Sequence, residues 1–137
     1  IDGLKVILRT TAKEVISARL YVRGGTANYP KEKEGIEALA FDVAINGGTK
    51  AMDKVTFKNE AEKIGTKFGS TTGLDYGNIN MTCIKTYWDK SWNLFADAIL
   101  NPAFSTQEFN LSKDQAISNA KQTEAEPDGA LQQAAMT

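Results

Sequence analysis

The sequence contains no histidine and a single cysteine, Cys83. Without histidine there is no Ser-His-Asp triad, no Cys-His pair and no imidazole-ligated metal. One cysteine allows neither an intrachain disulfide framework nor a CxxC zinc ribbon. An excess of one charge is missing too: 16 Lys+Arg face 17 Asp+Glu, for a net charge of −1. No Lys/Arg run or basic stripe occurs, and phosphate contacts need clustered cations, so a nucleic-acid partner is not expected. No apolar run approaches the roughly 18 residues of a membrane span. No signal peptide is visible, because the chain opens directly on an alternating segment.

What is present suits one ordered domain. The chain has 137 residues, 42% hydrophobic and 24% charged, enough to bury a core rather than stay disordered. It begins at Ile1 without Met and stops at Met136-Thr137 with no closing turn. We therefore expect residues 1–137 to be one incomplete domain of a longer protein, and a removed export signal is equally compatible with this start.

The pattern of apolar residues predicts the elements. Leu4, Val6 and Leu8 share one face of an opening strand, and Ile16, Ala18, Leu20 and Val22 one face of a second. The short polar link 10–14 suggests that the two form a hairpin. Ile36, Leu39, Ala40 and Val43 sit at the spacing of a buried helical stripe in a helix that starts near Glu34 and stops at Gly47-Gly48. A second helix spans 54–63 and carries Phe57, Ala61 and Ile64. Residues 65–77 read as turn-rich, with Gly69 and Gly73, before a strand through Ile79, Met81 and Cys83. Trp88, Trp92, Phe95, Ala96 and Ile99 mark the strongest helix, which Asn101-Pro102 breaks. Ser105 with Glu108 forms a capping box for a helix to about Glu124 that carries Phe109, Ala116, Ile117 and Ala120. Pro127 separates it from a final helical stretch, 128–136. Counting two strands between the second and third helices, the order β-β-α-α-β-β-α-α-α implies an α+β fold: an antiparallel sheet with helices packed on one face.

Candidate sites are few. Gly47-Gly48-Thr49-Lys50 lacks Walker spacing and follows a helix, so it reads as a C-cap and turn. Arg23-Gly24-Gly25 reads as a strand end rather than an anion nest. Asn80-Met81-Thr82 and Asn110-Leu111-Ser112 match the glycosylation sequon but fall inside regular elements. Cys83 has no histidine to activate it and reads as a buried structural thiol. Trp88 and Trp92 could line a ligand pocket but sit at core spacing. Asp42, Asp53, Glu60 and Glu62 could hold a metal or form a dyad, but nothing in their spacing converges them.

One stretch carries more. Gly35-Ile36-Glu37-Ala38-Leu39-Ala40-Phe41-Asp42-Val43-Ala44-Ile45-Asn46-Gly47-Gly48-Thr49-Lys50 resembles the metal-binding helix of the insulinase/pitrilysin (M16) zinc peptidases, approximately G-L-A-H-x-x-E-H-M-x-F-x-G-T in catalytic members. Asp2-Gly3-Leu4-Lys5-Val6 is similar to that family's opening strand, and Leu20-Tyr21-Val22-Arg23-Gly24-Gly25 to the strand end before its helix. Asp97 with Asn101-Pro102-Ala103-Phe104 is similar to its D-x-x-x-x-P-x-F segment, and residues 115–127 to its long later helix. The resemblance implies the LuxS/MPP-like metallopeptidase fold.

It also implies a lost site. Anchoring on Gly35 puts Ala38 and Asp42 where the zinc-binding histidines stand, Phe41 where the catalytic glutamate stands, and Asn119 at the distant Glu ligand. At i, i+3, i+4 the first three are expected on one helix face, opposite the stripe of 36, 39, 40 and 43. A methyl, a phenyl ring and one carboxylate cannot hold a catalytic zinc with an open position. The resemblance therefore implies the family's inactive half: no catalytic residue and no cofactor in this chain, with zinc in a partner half bearing H-x-x-E-H. That partner lies in the same chain or in a separate subunit, and the whole is a metalloendopeptidase. This half would form chamber wall and peptide-binding surface. The alternative is a structural or assembly subunit with no peptidase partner. A homo-oligomer is also possible, and the resemblance suggests the cell envelope or periplasm of a bacterium.

Overall fold

A computed structural model describes residues 2–126. Three strands, β1 (Val15–Arg23), β2 (Lys67–Thr72) and β3 (Tyr76–Ile84), form an antiparallel sheet in the order β1-β3-β2. Four helices accompany it: α1 (Ile36–Asn46), α2 (Lys54–Lys63), α3 (Trp88–Leu100) and α4 (Thr106–Ala125). The architecture is α+β, with α1 and α3 against one face of the sheet.

The strict alternation of β1 sets its register. Ile16, Ala18 and Leu20 stand opposite Cys83, Met81 and Ile79 of β3, and all point into the main core with Ile45 and Phe95. A second cluster of Phe57, Ala61, Ile64, Leu94 and Ala98 lies between α2 and α3. Phe68 of β2 joins the two. Its ring stacks on Phe57 at 5.5 Å and on Phe95 at 6.2 Å between centroids.

Three expectations are corrected. Residues 4–8 form no strand and no hairpin with β1, and Val6, Ile7 and Leu8 are exposed. An alternating segment becomes a strand only where a neighbour satisfies its backbone groups. Among the described residues, the outer edge of β1 pairs with no strand. Second, the turn-rich reading of 65–77 gives way to β2 over Lys67–Thr72, and only residues 73–75 turn the hairpin. Third, the α1 stripe is rotated. Ile36 is 53% exposed and Ala40 exposed, whereas Val43, Ala44 and Ile45 are buried. The helix is wedged between the sheet, α3 and α4, so more than one of its sides is covered.

The helix ends follow their caps. Asp53 accepts the Thr56 N–H at 2.8 Å and Ser105 that of Glu108 at 3.2 Å. Gly47 closes α1 by donating to the Val43 carbonyl, and Gly48 turns the chain at φ 82°. The Gly48–Thr49 turn is pinned to the segment after α3. Lys50 N–H donates to the Asn101 carbonyl, Ala103 N–H to that of Gly48, and Thr49 bridges Pro102. The final helical stretch expected at 128–136 lies outside the described residues.

Candidate functional site

Helix α1 presents two sides, offset by one residue or about 100° around its axis. Ala38 and Asp42 face a cavity of about 1060 Å³, whose far wall is α4 with Leu111, Gln115 and Asn119. The floor comes from α2 and β2, through Phe57, Ala61 and Phe68. A salt bridge of 2.7 Å between Lys54 and Glu108 ties the start of α2 to the start of α4. The cavity is thus apolar at its base and polar along its rim.

Three of the four degenerate positions, Ala38, Asp42 and Asn119, line this one cavity. Phe41 does not. Its ring turns to the sheet and packs over Gly77, so 38, 41 and 42 do not present a common face. Asp42 and Asn119 on the cavity wall each accept a hydrogen bond from a neighbour on the same helix. Asn46 Nδ2 donates to Asp42 Oδ1 at 2.7 Å, and Gln115 Nε2 donates to Asn119 Oδ1 at 2.8 Å.

This donor set does not fit zinc. Catalytic zinc takes three protein ligands of the imidazole, thiolate or carboxylate type and keeps an open position. Ala38 offers no donor, Asn119 a neutral amide, and Asp42 one carboxylate that already accepts a hydrogen bond. Among the described residues, no group of three or more His, Cys, Asp and Glu side chains converges.

On the other side of α1, Glu37 occupies a niche that the sequence reading did not single out. Its Oε2 accepts the Gly25 N–H at 2.8 Å. Its Oε1 is buried with no hydrogen-bond partner among the described residues. Gly77 makes room for it: a Cβ there would collide with Glu37 Oε1 and the Phe41 ring. The strand end at Arg23-Gly24-Gly25 thus offers an amide to an anion that the chain itself supplies. Desolvation pushes the neighbouring Tyr29 hydroxyl up, and the Glu37 and Glu34 carboxylates add to it. The three glycines at 24, 25 and 77 were the available signal for this niche.

The remaining candidates are dispersed. Cys83 is buried in the core, at 1% exposure. Trp88 and Trp92 stack at 5.2 Å on α3, outside the cavity lining, and Trp92 is 44% exposed. Glu62 joins the cavity rim, Glu60 pairs with Lys63 at 2.6 Å, and Asp53 caps α2. The Thr56 amide and hydroxyl hold the Asp53 carboxyl below its usual range. Asn80 sits on β3 and Asn110 within α4.

The model of the insulinase family, peptidase family M16, matches residues 5–137. The chain belongs to this family. A structure of a protease from Helicobacter pylori superposes with a TM-score of 0.74 at 22% identity, over 87% of this chain and 29% of that one. An inactive domain of a peptidase M16 from Pseudomonas fluorescens superposes at 0.73 with 18% identity, again over 87% and 29%. At such identities the likeness establishes the fold. The chain spans 29% of the length of each of these structures. No curated protein matches it.

Proposed function

We propose that this M16 domain is non-catalytic, and that it serves as chamber wall and peptide-binding surface beside a zinc-bearing H-x-x-E-H half. The observation that carries the proposal is the cavity itself. Ala38, Asp42 and Asn119 meet there, on the two helices from which catalytic relatives of the family hold their metal, without a set of ligands among them. The likeness to a Pseudomonas fluorescens structure described as an inactive M16 domain supports the same reading.

Peptide binding has a physical basis in two features. The cavity has an apolar floor with a polar rim, as ligand clefts do. The outer edge of β1, unpaired by any strand among the described residues, offers backbone donors and acceptors to an extended chain. In this assignment zinc, its activated water and the general base all belong to the partner half. Residues of this chain bind and orient peptide and exclude water.

The test is peptide hydrolysis by the zinc-bearing half with and without this domain. We expect turnover to rise markedly on pairing. A pair that hydrolyses peptides no faster than the zinc half alone refutes the assisting role and leaves assembly as the function.

A further inference from the structure

The sheet has a second face, turned away from α1 and α3, and it differs from the rest of the molecule in charge. Strand alternation and register place Arg19, Tyr21 and Arg23 of β1 on this face, with Tyr76 and Asn80 of β3 and Lys67 of β2. Its strand positions carry three cations and no carboxylate, in a chain whose acids outnumber its bases by 17 to 16, and one of the three, Lys67 on the edge strand, also reaches the lining of the α1–α4 cavity. None of the three forms an ion pair among the described residues, where Lys54, Lys58 and Lys63 all do. Asp75, on the hairpin turn, shares a small cleft with Arg23 but makes no salt bridge to it.

The cations frame an aromatic centre. Tyr21 and Tyr76, both about half exposed, meet with ring centroids 5.7 Å apart. Arg19 and Arg23 flank Tyr21 along the strand, four residues or roughly 13 Å apart. Lys67 stands opposite Thr82, which stands opposite Ser17, so it lies two strand spacings, roughly 10 Å, across from β1. Arginine and tyrosine are the side chains that protein interfaces favour. Guanidinium forks also take single carboxylates in bidentate fashion. A nucleic acid is a poorer match, since its continuous phosphates call for denser cations than three on a chain of net charge −1.

We propose that this face docks an acidic polypeptide segment, whose carboxylates pair with Arg19 and Arg23 across the Tyr21–Tyr76 platform. The Arg19–Arg23 pair and the Tyr21–Tyr76 platform lie on the face of the sheet away from the α1–α4 cavity, whose lining includes Lys67 but none of these four residues, and the site stands independently of the role given to that cavity.

The experiment is fluorescence anisotropy with a labelled glutamate-rich peptide, at low and at physiological salt. Arg19→Gln with Arg23→Gln is expected to weaken binding about tenfold or more. Tyr21→Ala should weaken it by a smaller factor. The charge-matched pair Lys90→Gln with Lys113→Gln, on exposed positions of α3 and α4, should leave it unchanged. Far-UV circular dichroism checks that each variant is folded. Three outcomes overturn the proposal: no binding by the unaltered protein, an equal loss in the Lys90/Lys113 control, or tighter binding of a poly-dT oligonucleotide through the same arginines.

Discussion

The two sides of α1 differ in how much of their chemistry is set by neighbours. Toward the sheet, Glu37 and Phe41 are fitted to Gly25 and Gly77, and Ile45 packs into the main core where it also backs the cavity. Toward the cavity, Ala38, Asp42 and Asn46 touch open space and one another. Under the reading proposed above, the cavity side is where a catalytic M16 helix would carry its ligands; in this chain that side offers Ala38 and one carboxylate, while the packed side holds the helix in place. Fold and chemistry thus rest on different residues of the same eleven-residue helix, which is why one can persist without the other.

The contrast breaks most visibly at Ile45. It is 5% exposed within the main core, and Ile45→Ala should cost about 2–5 kcal/mol in urea unfolding. A loss under about 1 kcal/mol, the level of an ordinary surface change, would mean that the packed side does not anchor the helix. Next comes Gly77→Ala. The new methyl meets Glu37 Oε1 and the Phe41 ring, and overpacking of this kind costs about 1–3 kcal/mol. Adding Glu37→Ala should restore part of that loss. Strict additivity of the two would deny that they share the niche.

Smaller effects belong to the caps that hold the cavity walls. Ser105→Ala leaves the Glu108 N–H without its acceptor at the start of α4, for about 1 kcal/mol by thermal unfolding. Asp53 adds a pH signature. Its carboxyl titrates lower in the folded chain than in the unfolded one, so its stabilisation is present above the unfolded pKa, about 4. It is lost as pH falls through the folded value. The gap in melting temperature between the unaltered protein and Asp53→Ala should therefore be full at pH 7 and should close below about pH 4. A gap that stays constant through acid would show that charge plays no part in the cap.

Much of the fold is legible where local chemistry decides it. Gly47 and Ser105 mark helix ends, and the alternation of 16, 18, 20 and 22 marks β1, because caps and half-buried strands leave a signal in the residues themselves. The strand β2 leaves none. In Lys67-Phe68-Gly69-Ser70-Thr71-Thr72 only Phe68 is strongly apolar, so its place depends on pairing with β3 and on the stack from Phe57 to Phe95. Residues 4–8 show the converse, a clear alternation that forms no strand among the described residues, with Val6, Ile7 and Leu8 exposed. At the site, the absence of ligands is plain in the residue types. The orientation of Phe41 is not, because it follows from the bare backbone of Gly77 on a distant strand.

The smallest expected effect lies on the open side of α1. Ala38 is exposed and Asp42 partly so, and Ala38→His should change stability by no more than about 0.5 kcal/mol. It should also fail to create tight zinc binding. One imidazole plus the Asp42 carboxylate makes two ligands where a catalytic site needs three, and that carboxylate already accepts from Asn46. Combining Ala38→His with Asp42→His and Asn119→Glu supplies three donors to one cavity, and zinc titration calorimetry should then detect a stoichiometric site that the single variant lacks. Tight binding by the single variant would mean that ligands outside 38, 42 and 119 reach this cavity. Silence from the triple variant would mean that α1 and α4 no longer stand at metal-binding distance, so that the wall, as well as its side chains, has departed from the catalytic form.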